Sequence, residues 1–265
     1  MVMSAPPGPI ITLLTDFSTR DPFVGVMKGV VLARFADARI VDLTHEVPAQ
    51  DIAFAAFWLE RSLRWFPPGS VHVVVVDPGV GTDRRALVAR AGDQYLVGPD
   101  NGVLAEALER ARDAEVFALD AGKLGLVTHG RTFHGRDVFA PVAAELAAGR
   151  YALSDLGSSI ADFSPSPLPR PRAKPGAVEG EVVVVDRFGN LMTNIEAELV
   201  SRVSRPRVEI AGEALALVGT YADIGPGQVA ALIDSFDVLE IAERDGSASR
   251  RLRAQRGARV LVLSS

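Results

Sequence analysis

The alternation of short β-branched runs with helix-like segments between residues 10 and 149 constrains the fold most strongly. Residues 71–76 form an apolar run interrupted only by His72, which predicts a strand buried on both faces. Alternating strands and helices predict an α/β domain whose mostly parallel central sheet is flanked by helices. The other predicted strands cover 10–14, 39–43, 86–91, 95–97 and 115–119, and the predicted helices cover 22–35, 51–66, 103–112 and 138–148.

Three local signals support these boundaries. Asp21 and Pro22 have the residue types of an N-cap and a first helical position. Gly149 is suited to the residue that follows a helix C-terminus. The pair Gly92-Asp93 predicts a turn between two strands.

Beyond about residue 160 the pattern changes to short strands separated by turns. The five prolines of residues 163–175 predict an extended linker. After it, strand-like runs at 181–185, 206–210, 214–218, 228–233, 237–241 and 259–263 predict a smaller all-β, barrel-like domain. We therefore divide the chain into a loose N-terminus (1–9), an α/β domain (10–162), a proline-rich linker (163–177) and a C-terminal β-barrel domain (178–265).

Composition excludes several classes of function. The chain has no cysteine, so it has neither a thiolate nucleophile nor a cysteine-ligated metal site. Its formal net charge of −5 provides no global basic field for nucleic acid or an anionic membrane. The longest apolar run, 52–59, is far shorter than the ~20 residues that span a bilayer, and no signal peptide is recognisable. We expect a cytoplasmic protein that binds neither nucleic acid nor membrane.

Polar residues cluster where predicted strands end. The clusters are Thr-Asp-Phe-Ser at 15–18, the segment 77–84 and Thr-Phe-His-Gly-Arg-Asp at 132–137. Any one of them could simply cap the next helix. Together they would lie at one edge of the sheet, beyond the carboxyl ends of the strands, where α/β proteins bind ligands. The pattern therefore favours a binding or catalytic site at this edge.

Other motifs are weaker. Gly79-Val80-Gly81 resembles a dinucleotide-binding turn, but Arg84 replaces the third glycine and a strand follows instead of a helix. His72 is predicted to be a satisfied core histidine. His129 and His134 are five residues apart, unlike a zincin pair, and a metal site of His134 with aspartates remains a weaker alternative. Residues 186–190 and 193–194 indicate a turn between two strands.

Seven short motifs in a fixed order identify a family. They are LTDF (14–17), VDPGVG (76–81), RR (84–85), GPDNG (98–102), TFHGRD (132–137), FGN (188–190) and LEIA (239–242). This set, spread over residues 10–263, resembles the S-adenosyl-L-methionine (SAM) hydroxide adenosyltransferases. These are adenosine-forming SAM hydrolases related to the bacterial fluorinase and chlorinase.

The resemblance implies an N-terminal α/β domain and a small C-terminal barrel. It also implies a homotrimer that binds SAM between one chain's N-terminal domain and a neighbour's C-terminal domain. The reaction would be hydrolysis of SAM to adenosine and L-methionine, with SAM and water as substrates and no cofactor or metal. The trio implied to activate water is Asp77, Arg84 and His134. The implied substrate contacts are Asp16 (ribose hydroxyls), Asp21 and Asp186 (methionine amino group), Asn190 and Tyr221 (adenine) and Ser235 (methionine carboxylate).

The chemistry is consistent with these residue types. The sulfonium of SAM departs as a neutral thioether, so the enzyme needs no acid to protonate the leaving group. It must place a water in line with the ribose C5′ and accept its proton, as a positioned carboxylate or imidazole can. The sequence does not decide whether Asp77 or His134 takes that proton.

Two departures and two alternatives remain. Asp234 stands where many members of the family carry asparagine, and the charged segment 242–245 leaves its adenine contacts unassigned. A SAM-dependent halogenase is one alternative, although an anionic Asp77 would oppose a halide. A sensor that binds SAM or adenosine without turnover is the other, but it would not need the trio.

Overall fold

A computed structural model describes residues 9–126 and 129–264. Most of the predicted loose N-terminus therefore lies outside the described residues. The chain divides into two compact units, Met1–Pro167 and Leu168–Ser265. The division falls inside the predicted linker, where Arg172–Lys174 forms a strand that pairs with the next one along the chain.

The first unit contains a seven-stranded sheet with the order β2-β1-β3-β5-β4-β6-β7. Its strands are β1 (Ile10–Thr15), β2 (Arg39–Thr44), β3 (Val71–Val75), β4 (Ala86–Ala91), β5 (Gln94–Pro99), β6 (Glu115–Leu119) and β7 (Gly157–Ser159). The pairs β1–β2, β1–β3 and β3–β5 are parallel. The pairs β4–β5, β4–β6 and β6–β7 are antiparallel.

The prediction of a mostly parallel sheet is therefore wrong, because the sheet is mixed. The reason is the turn at Gly92, whose φ of 59° lies in the left-handed region that glycine tolerates. This turn joins β4 to β5 directly, and strands joined by a tight turn must run antiparallel. β6 then pairs with the outer side of β4, and β7 with β6, so three of the six strand pairs in the sheet are antiparallel.

Helices cover both faces of this sheet, as predicted. They are α1 (Phe23–Arg34), α2 (Ile52–Leu63), α3 (Ala105–Arg110), α4 (Ala140–Ala147) and the short α5 (Leu153–Leu156), and a π-helical segment, Gly135–Phe139, precedes α4. All of β3 is buried, and its residues alternate between two cores. Val73 and Val75 pack with α1 and α4 residues, whereas Val74 packs with α2 and α3 residues.

Asp51, the residue before α2, caps this helix by accepting a hydrogen bond from the Phe54 N–H at 3.0 Å. Two predictions about other residues have different outcomes. The predicted cap at Asp21 is wrong, because α1 begins at Phe23 with Pro22 as its N-cap. His72 is a satisfied core histidine, as predicted: its Nδ1 lies 2.8 Å from the Thr12 hydroxyl and its Nε2 lies 3.2 Å from the side-chain amide oxygen (Oε1) of Gln94.

The second unit is a single antiparallel sheet that is nearly barrel-shaped. Its strands are β8 (Arg172–Lys174), β9 (Ala177–Val185), β10 (Leu191–Glu196), β11 (Pro206–Ile210), β12 (Glu213–Ala216), β13 (Val229–Ile233), β14 (Val238–Glu243) and β15 (Arg259–Ser264). The path runs β12-β11-β15-β9-β10-β14-β13, and β8 pairs with β9. A bridge between Leu217, just after β12, and Ala231 of β13 joins the two ends of this path. The unit also contains the short helices α6 (Ala197–Ser201) and α7 (Ala248–Leu252) and a short 3-10 helical turn, Tyr221–Asp223.

None of the helices in the described ranges combines the length and apolar character that crossing a membrane requires.

Candidate active site

A cleft of about 300 Å³ opens where β1 and β3 end. These neighbouring strands are parallel, with Thr15 opposite Val75, so the residues that follow them lie side by side. Asp16 and Asp77 therefore reach the same cleft, as the sequence predicted. The lining residues are Asp16, Phe17, Gln50, Val75, Asp77, Pro78, Val80, Thr132, Phe133, His134 and Gly135.

Asp77, Arg84 and His134 are in direct contact. The Arg84 Nε–H donates to Asp77 Oδ1 at 2.8 Å, and its Nη2 contacts Asp77 Oδ2. The same Nη2 lies 2.8 Å from His134 Nδ1. The guanidinium also lies over the Phe139 ring, 5.4 Å from its centroid. One largely buried arginine thus contacts both the carboxylate and the imidazole and holds them next to each other.

This contact determines the tautomer of His134. A guanidinium can only donate hydrogen bonds, so His134 Nδ1 must accept the bond from Arg84. The neutral imidazole then carries its proton on Nε2. Burial, and next the positive charge of Arg84, lower the pKa of His134 below its ordinary value. His134 is therefore neutral at neutral pH, with a hydrogen-bond donor at Nε2.

The turn after β3 places Asp77 and Arg84 next to each other. Its backbone is held by bonds from Val80 N to the Asp77 carbonyl and from the Thr82 hydroxyl to the Gly79 carbonyl, at 3.2 and 2.7 Å. Gly81 adopts a φ of 81°, and a Cβ there would lie only 2.8 Å from the Arg131 carbonyl oxygen. Arg131 Nη2 in turn donates to the Gly81 carbonyl at 3.0 Å. This close approach joins the turn to the loop that carries His134.

A backbone amide holds Asp16 at the cleft. Gln50 N–H donates to Asp16 Oδ2 at 2.8 Å, and Gln50 has a left-handed φ of 64°. An ionised carboxylate can accept several more hydrogen bonds, so Asp16 keeps the capacity to bind hydroxyl groups. Sequence reasoning missed the part played by Gln50, because a backbone donor leaves no mark on residue type.

Aromatic rings form one wall of the cleft. Phe17 and Phe133 line it, with ring centroids 5.7 Å apart, and both rings pack against the ring of Phe23. Phe17 and Phe133 both belong to the polar clusters identified in the sequence, but the sequence analysis gave them no role. Their position next to Asp16 and His134 in the chain is the signal that could have identified them.

Asp21 is not brought to this cleft. It is exposed and is not among the lining residues. Among the described residues, no group of three or more histidine, aspartate or glutamate side chains is arranged to hold a metal ion.

The other predicted contact residues lie in the second unit. Asp186 and Asn190 are held together in the turn between β9 and β10. Asp186 Oδ1 accepts bonds from the backbone N–H groups of Phe188 and Asn190, each at 2.8 Å, and its Oδ2 accepts from Asn190 Nδ2 at 3.0 Å. The predicted turn between two strands is confirmed at residues 186–190, whereas residues 193–194 lie within β10 and not in a turn.

Tyr221 and Ser235 are both exposed. The Tyr221 hydroxyl donates to Glu240 Oε1 at 2.6 Å, a contact that sequence reasoning missed. Asp234, beside Ser235, is buried, and its Oδ1 accepts from the backbone N–H groups of Phe236 and Val238 at 2.8 and 3.0 Å. This carboxylate therefore serves the turn between β13 and β14.

Comparison with known proteins gives a consistent result. The N-terminal domain of the SAM hydroxide adenosyltransferases matches residues 11–157, and their C-terminal domain matches residues 180–261. A Salinispora tropica protein named (R)-S-adenosyl-L-methionine hydrolase is 38% identical over 261 residues, covering 97% of this chain and 98% of the relative. A Thermus thermophilus protein of the same name is 38% identical over 262 residues, covering 96% and 99%.

A solved structure and a more distant enzyme extend the comparison. The crystal structure of an uncharacterised conserved protein from Thermotoga maritima has a TM-score of 0.88 at 36% identity, covering 96% of this chain and 99% of that one. A fluorinase from Actinoplanes sp. is 27% identical over 91% of this chain and 92% of its own length. Since both family domains match in order along most of its length, the chain belongs to the SAM hydroxide adenosyltransferase family.

Proposed function

We propose that the protein hydrolyses S-adenosyl-L-methionine to adenosine and L-methionine. The observation that carries the proposal is the contact of Asp77, Arg84 and His134 beside a cleft that Asp16 also lines. Relatives named (R)-S-adenosyl-L-methionine hydrolase that align over nearly the whole chain support the same reaction.

The reaction is a displacement at the ribose C5′. A water oxygen forms a bond to this carbon while the bond from C5′ to the sulfonium sulfur breaks. The electron pair of that bond stays on sulfur, which leaves as the neutral thioether of methionine. One water proton remains bound to oxygen as the 5′-hydroxyl of adenosine, and the other is released. Each turnover therefore yields one adenosine, one methionine and one proton.

Asp77 is the proton acceptor in this proposal. Arg84 occupies two of the roughly four acceptor positions of the carboxylate, so Asp77 can still accept a hydrogen bond from water. His134 cannot accept at Nδ1 while Arg84 donates to that atom, and its Nε2 already carries a proton. His134 instead donates from Nε2 and orients the water. Positioning of this kind can lower a barrier by about 7–11 kcal/mol in favourable cases.

We propose that each unit contributes residues that contact a substrate molecule. We assign the ribose hydroxyls to Asp16 and the adenine to Asn190 and the ring of Tyr221. Ser235 would contact the methionine carboxylate, while Asp186 would face its amino group. We further propose a homotrimer in which the first unit of one chain and the second unit of a neighbour enclose the substrate. The reaction needs no metal or cofactor, and we place it in the cytoplasm.

Incubation with SAM tests the proposal directly. Chromatography should detect adenosine and methionine in equal amounts, and a pH-stat should record one proton for each adenosine. Binding of SAM without any product would instead identify a sensor. Parallel reactions with chloride or fluoride test for a halogenase, since formation of a 5′-halo-nucleoside in place of adenosine would overturn the assignment of water as the nucleophile.

A further inference from the structure

Glu240 is a buried carboxylate that the proposed mechanism does not use. It lies on β14 with only 3% of its surface exposed. Its Oε1 accepts a hydrogen bond from the Tyr221 hydroxyl at 2.6 Å. Tyr221 itself is 48% exposed, so its ring is accessible while its hydroxyl is anchored. The pair joins a rigid strand to the short helical turn that carries the tyrosine.

The surroundings of Glu240 are acidic. Burial, with smaller contributions from Asp234 and Asp186, raises the pKa of Glu240 to about 7. The hydrogen bond from Tyr221 acts in the opposite direction, because it favours the ionised carboxylate. Burial, and next the hydrogen bond to Glu240, raise the pKa of Tyr221, so its hydroxyl stays protonated and remains the donor. The ionisation of Glu240 therefore changes near neutral pH.

We propose that Glu240 is a positioning residue that fixes the Tyr221 ring for nucleoside binding. This inference rests on the proposed function, in which that ring stacks on adenine. Glu240 acts only through the tyrosine and touches neither the substrate nor the attacking water. It is expected to affect nucleoside affinity and leave the displacement step unchanged.

A dependence on pH follows from the hydrogen bond. When Glu240 is ionised, the bond is charge-assisted and about twice as strong as a neutral one. As the pH rises through neutrality, the ring becomes better fixed and nucleoside affinity increases. This difference in hydrogen-bond strength corresponds to a change of about three- to tenfold in the dissociation constant of the nucleoside. The acidic groups that face Glu240 are Asp234 after β13 and Asp186 after β9, and Tyr221 is its hydrogen-bond donor.

The test measures the adenosine Kd by calorimetry from about pH 5.5 to about pH 8.5, where Glu240 changes its charge. The proteins are the wild type, Glu240→Gln, Tyr221→Phe and the double variant. The wild-type Kd should fall about three- to tenfold as pH rises, whereas Glu240→Gln should lose most of this dependence. In the Tyr221→Phe background, Glu240→Gln should have no further effect on Kd. Glu209→Gln, which alters a half-buried carboxylate paired with Arg207 at 2.6 Å on the same sheet, should behave as wild type.

Kinetics separate positioning from a purely structural role. Glu240→Gln should raise the KM for SAM at high pH and leave kcat within about twofold of wild type. An equal effect of Glu240→Gln with and without the Tyr221 hydroxyl would overturn the inference, as would no adenosine binding by the wild type. Failure of the wild type to hydrolyse SAM would instead overturn the proposed function, because adenosine binding reports on Glu240 without turnover.

Discussion

Replacing Asp77 by asparagine tests the proposed water site with the smallest change of shape. The amide keeps the volume of the side chain but cannot accept the proton of the attacking water. Its NH₂ group would also face the Arg84 guanidinium, so two donors would meet where the carboxylate now accepts. Loss of a positioned proton acceptor lowers rates about 10²–10⁴-fold, which is about 3–5 kcal/mol of barrier.

Asp77→Asn should also lower the free energy of unfolding, by an amount that can be calculated from the structure. The side chains of Asp77 and Arg84 are 4% and 10% exposed, so the variant leaves a buried cation without its carboxylate. Breaking a buried ion pair costs about 3–5 kcal/mol. We expect the lower end, because Arg84 still donates to His134 Nδ1 and to the Arg85 carbonyl at 2.8 and 3.1 Å. About 3 kcal/mol corresponds to a fall of about 5–10 °C in Tm.

The assay compares adenosine release, adenosine binding and Tm in the same preparations. Asp77→Asn should lose at least about 10² in kcat and bind adenosine within about threefold of wild type, since Asp16 rather than Asp77 is assigned to the ribose. Asp83→Asn is the matched control, because Asp83 is an exposed carboxylate in the same turn. Folded Asp77→Asn with turnover near the wild-type rate would refute the proton-acceptor role.

Three further predictions concern other parts of the first unit. Arg84→Lys keeps the charge, but one ammonium cannot reach Asp77, His134 and the Arg85 carbonyl together. Steady-state kinetics should therefore show a fall of about 10²-fold in kcat, and calorimetry should show that adenosine affinity is retained. Gly81→Ala forces a Cβ to 2.8 Å from the Arg131 carbonyl oxygen, and this variant should lower kcat at least about tenfold. Gly92→Ala is its control, because Gly92 also has a positive φ but has no atom within 4 Å of the added Cβ, so this variant should reduce only Tm. Burial lowers the pKa of His72 from 6.5 to about 4, so its contribution to stability is complete above pH 6.5 and is lost as the pH falls through about 4. Chemical denaturation at several pH values should show a loss of about 3 kcal/mol from this residue, which a His72→Gln variant should not show.

Much of the fold could be predicted from local patterns. The valine-rich β3, the capped start of α2 and the turn at Gly92 are each specified within a few residues of sequence. Strand direction is not local, and the mixed sheet arises because β6 joins the free side of the β4–β5 hairpin. β10 was absent from the predicted strands, because Thr193 and Asn194 within it were interpreted as part of a turn.

The site was predictable to a different extent. The family resemblance implied that Asp77, Arg84 and His134 act together, and the structure places their side chains in contact. It could not say which group accepts the proton, since that depends on which imidazole nitrogen faces the guanidinium. Glu240 read as one more position in a buried strand. Its partner Tyr221 is nineteen residues away in the chain, so no motif connects them.

Hydrolysis in water enriched in ¹⁸O is the most direct measurement. Mass spectrometry of the products should find the label in the 5′-hydroxyl of adenosine and none in methionine, because the water oxygen bonds to C5′ while sulfur keeps its electron pair. Unlabelled adenosine, label in methionine, or intact SAM after prolonged incubation would contradict attack of water on the nucleoside carbon.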